Sequence, residues 1–449
     1  MISRRTLIAG TAAAAGVVAA PWVARAQAQR VQVNFWHGLG QPLGGILEQV
    51  VAGFNGSQTQ FQVNATFRGA YPETMQAAIA AFRAGNAPHI VQMFEVGTAT
   101  MMAARTAIMP VHQLSTDTGV AIDPAAYLPG VRGYYSTSDG KLMSMPFNSS
   151  TTILYYNKEA FRKAGLNPDQ APATWAAVRE ATQRIKATNA APIPYATGWP
   201  TWVHHENFSA IHNVPLATKA NGMDGMDAEL RINSPLHVRH TQMLVDMQRE
   251  GLFRYGGRDG AGEAVFATGE AAIMTTSSGF RARALREVPG GAANVGFGYL
   301  PYHNDAIQSP LNSIIGGASL WVMQSPNRTR DEYRAVAEFF KYISQPQIDS
   351  KWSQDTGYVP ITLAGAAQLR ESGFWAQNPG SEIPTLQLQR GTATENSRGL
   401  RLGNMPQIRV VIQEELERAL QGQQSAEQAC NSTVTRGNEV LRAFERANR

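Results

Sequence analysis

Residues 198–212 read GWPTWVHHENFSAIH, which sets His204, His205, Glu206 and His212 close together. Imidazoles and a carboxylate at that density are the raw material of a metal site or of acid–base chemistry. The spacing argues against zinc on a helix. A His-Glu-x-x-His helix puts two imidazoles one turn apart on one face, whereas the adjacent His204 and His205 would point about 100° apart. His205 and His212, seven apart, can share a face, but no thiolate or third ligand lies nearby in sequence. These histidines therefore read as polar residues hydrogen-bonded within the fold, and neither a metal nor a cofactor is expected. There is no Gly-x-Ser-x-Gly elbow and no phosphate-cradling Gly-x-x-x-x-Gly-Lys loop. Asp224 and Asp227 lie three apart, unlike a calcium loop with ligands at every second residue, and read as a surface turn.

What recurs is a set of loops suited to a small polar anion. Thr275-Thr276-Ser277-Ser278-Gly279 precedes the helical stretch FRARALREV, so hydroxyls and free backbone N–H groups meet at a helix start. Ile315-Gly316-Gly317-Ala318 opens a strand with glycines that let the backbone approach a ligand. Arg398-Gly399-Leu400-Arg401-Leu402-Gly403 offers guanidinium donors for bidentate capture of phosphate or carboxylate. Trp199 and Trp202 supply apolar surface, and on a helix their i, i+3 spacing would put both indoles on one face.

These loops need elements to hold them. VQVNFWHG from Val31 and FQVNATFRG (61–69) alternate as strands, with a helix from Pro42 to Phe54 between them. PETMQAAIAAFRAG (72–85) is a helix stopped by Gly85, and HIVQMFEVG (89–97) is a third strand carrying Glu95 near its end. Such alternation predicts a parallel sheet with helices on both faces. A second block follows: strand and helix in ILYYNKEAFRKAG (153–165), an amphipathic helix over 174–189 capped by Thr174, and strands at 296–301 and 318–324. Helices are predicted over 333–344, 408–422 and 439–448. Two α/β blocks with a helical tail suggest two lobes in one unit, with ligands at the carboxyl ends of strands.

The first 28 residues belong to transport, not to the fold. Arg4 and Arg5 precede a small apolar run from Leu7 to about Ala20, then come Pro21 and two Ala-x-Ala endings, at Ala24–Ala26 and Ala26–Ala28. This predicts an export signal, by the twin-arginine route, into the periplasm. The 449-residue chain has 39 basic against 34 acidic residues; removing Arg4, Arg5 and Arg25 leaves 36 against 34, a net charge of +2. So weak a field gives no basis for nucleic-acid binding. The lone Cys430 excludes an intrachain disulfide and reads as a small buried side chain.

Longer segments carry a resemblance: AAFRAGNAPHIVQMFEVGTATMMA (80–103), MPFNSSTTILYYNKEAFRKAGL (145–166), HENFSAIHNVP (205–215), IIGGASLWVM (314–323), QDTGYVPIT (354–362) and GLRLGNMPQIRVVIQEELE (399–417). Over these the chain from about Val31 onward resembles the sn-glycerol-3-phosphate-binding proteins of ABC importers, a branch of the extracellular solute-binding family that also includes maltose-binding protein. The resemblance implies a two-lobed α/β fold of the type II periplasmic kind, each lobe a mixed sheet flanked by helices, with the ligand cleft between lobes. The expected division is 31–146 plus 284–328 for the first lobe and 147–283 plus 329–449 for the second. Residue by residue, it implies that Tyr71, Glu95, Ser150, Ser277, Gly317, Tyr358 and Arg401 contact the ligand, with Trp199 and Trp202 lining the cleft. It further implies a phosphorylated glycerol ligand, membrane permease subunits with a cytoplasmic ATPase as partners, a monomer, and no catalysis.

Physical chemistry agrees with this distribution: hydroxyls, a glycine N–H and a guanidinium can surround a phosphate, whereas the Glu95 carboxylate belongs at the hydroxyl-bearing end. Departures touch specificity. NAAPIPYATGW lacks the cysteine of several relatives, RGAYPET differs after its tyrosine, and His204 replaces a longer neutral residue. A glycerophosphodiester such as glycerophosphocholine, whose choline head an aromatic wall can hold, is thus a second expected ligand. A neutral sugar or oligosaccharide is the alternative ligand, and a secreted phosphodiesterase the alternative class.

Overall fold

The computed structural model describes residues 30–449, so the expected export segment lies outside the described residues. Two sheets organise the chain. The first contains β1 (Val31–His37), β2 (Phe61–Phe67), β3 (Ile90–Phe94), β4 (Ile108–Met109), β5 (Met145–Ser150) and β11 (Gly316–Met323), in the order β2-β1-β3-β11-β4 with β5 also on β11. The second runs β10-β6-β9-β7-β8, built from β6 (Thr152–Asn157), β7 (Ile193–Thr197), β8 (Phe253–Tyr255), β9 (Ala271–Ser277) and β10 (Val295–Gly298).

The strand–helix alternation of residues 31–97 does give parallel pairing of β1 with β2 and β3. The sheet is nonetheless mixed, because β11 returns antiparallel to β3, β4 and β5. Periodicity near one strand reads the parallel pairs but not a partner more than 200 residues away; the two mixed sheets are those the resemblance implies.

Helix boundaries follow their local chemistry. Thr174 accepts the Ala177 N–H at 3.1 Å and caps the helix Trp175–Ala187 as expected. Thr329 and Glu332 form a reciprocal capping box on Arg330–Ile343. That helix packs on β1 and contributes Val336, Phe339 and Phe340 to the core of the first lobe. β10, by contrast, pairs with β6 in the second sheet. The expected lobe boundaries are therefore corrected: β5 through Ser150 and the helices Arg330–Ile343 and Pro346–Thr356 belong to the first lobe, and β10 to the second.

The C-terminal helices Met405–Leu420 and Ala426–Asn448 pack on the second-lobe helix Pro235–Arg249. Ile408, Ile412 and Leu441 also share a core cluster with Val91, Met93 and Trp321 of the first sheet, tying the two lobes together. Each fully buried side chain of this size contributes about 1.5–3 kcal/mol. Cys430 is buried here, its Sγ beside the Thr241 hydroxyl at 3.6 Å.

The chain first crosses between lobes at the junction of β5 and β6. Around it the Ser313 and Thr151 hydroxyls meet at 2.5 Å and the Gln387 amide donates to the Thr152 carbonyl at 2.6 Å. Val359 N–H donates to the Ser149 carbonyl at 2.8 Å, bringing the segment of Tyr358 to the same crossing.

Candidate functional site

A cavity of about 260 Å³ lies where the carboxyl ends of strands from both sheets converge. Glu95 follows β3, Ser150 ends β5, Trp199 follows β7 and Ser277 ends β9. Gly317, at the start of β11, reaches the same edge because β11 runs antiparallel to β3. Eight of the nine expected residues line this one cavity: Tyr71, Glu95, Ser150, Trp199, Trp202, Ser277, Gly317 and Tyr358.

Arg401 does not. Its guanidinium donates to the Tyr134 and Ser136 carbonyls at 2.8 and 2.9 Å, and the residue lines a separate, larger cavity on residues 128–140 and 385–401. The arginine of that quoted segment that does line the site is Arg409, eight residues further on. The Arg401 side chain satisfies carbonyls at the end of the helix Pro129–Tyr135, while the helix Met405–Leu420 turns Arg409 inward. A Gly-rich loop made Arg401 the conspicuous choice. The signal for Arg409 was its place among the buried positions Ile408, Val411 and Ile412 of an amphipathic helix, where a charged side chain is rare unless paired.

Arg409 is paired twice. Its Nε and Nη2 donate to the two Glu206 oxygens at 2.7 and 2.8 Å, and Nη2 also donates to Glu95 at 2.5 Å. All three side chains are almost fully buried. Glu95 comes from the first lobe and Glu206 from the second, so one guanidinium bridges the lobes. Burial raises the Glu95 carboxyl to about 7 against the pull of Arg409, because one guanidinium serves two carboxylates.

The other donors are neutral. The Gln92 amide links the Gly38 N–H (2.8 Å) to the Asn148 side chain (2.8 Å), and Asn148 donates to the Tyr71 hydroxyl at 2.8 Å. The Tyr358 hydroxyl lies beside that of Tyr71. Ser277 caps the short turn Ser278–Phe280 by accepting the Gly279 N–H at 3.1 Å. Gly317 has φ +84°, and a Cβ there would sit 1.8 Å from the Asn148 carbonyl oxygen. A Cβ on Gly316 would sit 2.1 Å from the Trp202 ring. The glycine pair therefore gives both a left-handed turn and the room for an indole.

The two tryptophans reach the cavity by a route other than one helical face. Trp199 has φ +53° and stands outside the helix, whereas Trp202 opens a π-helical turn, Trp202–Asn207. Trp199 faces Tyr71 of the opposite lobe with ring centroids 6.2 Å apart. The histidines of the same stretch turn away from the cavity into the second lobe. There the Tyr195 hydroxyl, His204, His240 and His303 form a chain of contacts at 3.2, 3.0 and 3.1 Å. His212 accepts the His303 backbone N–H at 2.9 Å, and His237 contacts Ser209 and Ser234. His204 is thus a core residue, and nothing places it against the cavity.

Two α/β lobes enclosing a polar cavity at their strand ends define a solute-binding protein, and the chain belongs to the bacterial extracellular solute-binding proteins, whose family model matches residues 49–383. It is 44% identical to the sn-glycerol-3-phosphate-binding periplasmic protein UgpB of Rhizobium meliloti (strain 1021), over 92% of this chain and 94% of that protein. The protein of the same name from Yersinia pseudotuberculosis is also 44% identical, over 93% of this chain and 94% of its own length. Among solved structures, UgpB of Mycobacterium tuberculosis in complex with glycerophosphocholine matches with TM-score 0.75 at 20% identity, over 92% of this chain and 99% of that one. A cyclic α-maltosyl-1,6-maltose-binding protein from Arthrobacter globiformis matches with TM-score 0.70 at 20% identity, over 92% and 100%.

Proposed function

We propose that this chain is the periplasmic substrate-binding component of an ABC importer for sn-glycerol-3-phosphate or its diesters. It captures ligand by closure of the two lobes and hands it to a membrane permease driven by a cytoplasmic ATPase. It acts as a monomer, reaches the periplasm through the twin-arginine route and catalyses no reaction. The observation that carries the reading is the convergence of Tyr71, Ser150, Ser277, Gly317 and Tyr358 on one cavity with the Glu95–Arg409 pair. Kinship at 44% identity to proteins of that name adds to it.

The donors divide by chemistry. Serine and tyrosine hydroxyls and the Gly317 N–H suit phosphate oxygens, each charge-assisted bond contributing about 1.5–3 kcal/mol. The Glu95–Arg409 pair offers an acceptor beside a donor, which suits the vicinal hydroxyls of glycerol. Trp199 and Trp202 cover the carbon skeleton. Titration calorimetry of the mature protein with glycerol-3-phosphate, glycerophosphocholine and maltose tests this. Heat is expected with the phosphorylated ligands and none with maltose; binding of maltose alone overturns the reading. Gly317→Ala is expected to lower affinity at least tenfold, since a left-handed φ costs a side chain about 1–2 kcal/mol before the clash with Asn148 is added. Parallel titration and thermal unfolding check it, and affinity within twofold of the parent would count against a role for that turn.

A further inference from the structure

Glu263 lines the same cavity and has no part in the arrangement described so far. It follows the second-lobe strand β8, in the short turn Ala261–Glu263. Its Oε1 accepts the Thr276 hydroxyl at 2.7 Å, and the Trp199 indole N–H faces the same carboxylate. The backbone has been cleared to let it in. A Cβ on Gly198 would lie 2.9 Å from Glu263 Cγ, and one on Gly260 would lie 3.3 Å from Oε2 and 3.4 Å from the Trp199 indole nitrogen. No arginine or lysine forms an ion pair with it among the described residues. The nearest cation lining the cavity, Arg283, is held by Glu287 at 2.7 Å. Burial raises the Glu263 carboxyl to about 7.

Charge makes this telling. Arg409 is shared by Glu95 and Glu206, and Arg283 is paired with Glu287, so the cavity holds more carboxylate than free guanidinium. A phosphate monoester dianion gains nothing from an extra buried carboxylate. A ligand carrying its own cation does, because an ammonium between a carboxylate and aromatic faces is attracted by both. Trp199 stands against Glu263, and Phe280 lines the same cavity.

Resting on the function proposed above, we infer that Glu263 with Trp199 forms a receptor for an ammonium group, so that the site prefers glycerophosphodiesters with a cationic head over glycerol-3-phosphate. Phosphate then sits at Ser150, Ser277 and Gly317, the glycerol hydroxyls at Glu95 and Arg409, and the head group at Glu263. Thr276, which anchors the carboxylate, directly precedes Ser277, and Glu263 and Ser277 line the same cavity.

The test is calorimetry with glycerophosphocholine, glycerophosphoethanolamine, glycerophosphoglycerol and glycerol-3-phosphate on the parent protein, Glu263→Gln and Glu263→Asp. The parent is expected to bind the two cationic diesters about tenfold more tightly than glycerophosphoglycerol, which is of similar size but has no ammonium. Glu263→Gln should weaken the cationic diesters ten- to a hundredfold and strengthen glycerol-3-phosphate, an opposite movement that a merely structural role cannot produce. Glu263→Asp, which keeps the charge, should retain the order of preference. Equal weakening of all four ligands in Glu263→Gln overturns the role of Glu263 and leaves the site reading intact. So does a parent that ranks glycerophosphoglycerol with glycerophosphocholine. No heat from any of the four on the parent overturns the function itself.

Discussion

Arg409→Ala is expected to abolish ligand binding, with at least a hundredfold loss, and to cost about 3–5 kcal/mol of stability. Both effects have one cause. The guanidinium is the common partner of Glu95 and Glu206, and its removal leaves two buried carboxylates with nothing opposite them. They must then take up protons or draw in water, and the acceptor–donor pair offered to a glycerol is lost. Arg409→Lys should recover part of the stability but little of the binding, because a single ammonium cannot make the planar fork to Glu206 and still reach Glu95. Arg401→Ala is the matched comparison. Its side chain bonds the Tyr134 and Ser136 carbonyls away from the cavity, so affinity should stay within a few-fold. Titration of the three variants with glycerol-3-phosphate, beside urea unfolding, separates the cases. Loss of binding in Arg401→Ala with a normal Arg409→Ala would reverse the assignment made from the geometry.

That exchange of arginines shows where sequence reasoning reaches and where it stops. Both arginines lie inside the segment 399–417. Choosing between them depends on which one the fold turns toward Glu95, 314 residues away. Local patterns placed β1, β2 and β3, the helix capped by Thr174 and the carboxyl-end loops, because these follow from period, cap and turn chemistry. The partner of β11, the sheet that β10 joins and the lobe on which Arg330–Ile343 packs are long-range pairings without a local signature. Trp199 and Trp202 were recognised as a pair while their mutual geometry was not, since a left-handed Trp199 and a π-turn leave no mark in i, i+3 spacing. AGEAVF resembles any turn into a short helix and gives Glu263 no local signature; the glycines at 198 and 260 that keep space for it are brought against it only by the fold.

Acidification is expected to unfold this protein steeply, with the urea midpoint flat from pH 8 to about 7 and falling below pH 6.5. The buried histidines are the cause. Burial lowers His204 and His237 to about 3, His205, His212 and His303 to about 4, and His240 further, with neighbouring imidazoles adding to the shift for His204, His212's partner His303, His237 and His240. His37, also buried, falls to about 4. The sign follows from which state takes the proton. Below the ordinary value of 6.5 the unfolded chain protonates each imidazole while the folded chain keeps it neutral, so stability present above 6.5 is lost progressively down to the folded values. Between pH 7 and 5 each histidine contributes a loss of about 2 kcal/mol. Three carboxyls oppose this: Glu95 and Glu263, raised to about 7, and Asp349, raised to about 6 by burial, hold protons in the folded state that the unfolded chain has released. Each glutamate gains about as much as one histidine loses and Asp349 less, and the histidines outnumber them. Arg239 and Asp305, an exposed ion pair beside His212 and His303, act on those two rings with opposite signs. A net fall of several kcal/mol is enough to unfold a protein of ordinary stability. The loss should begin in the second lobe, where Phe208 stacks between His240 and His212 at ring distances of 4.1 and 4.3 Å and protonating either ring strands a charge in an apolar contact. A urea midpoint unchanged between pH 7 and 5 would show that the cluster opens to solvent in the native state. The same titration followed by tryptophan fluorescence reports on Trp175, whose ring lies 5.0 Å from His240, and its signal should change before that of the first lobe.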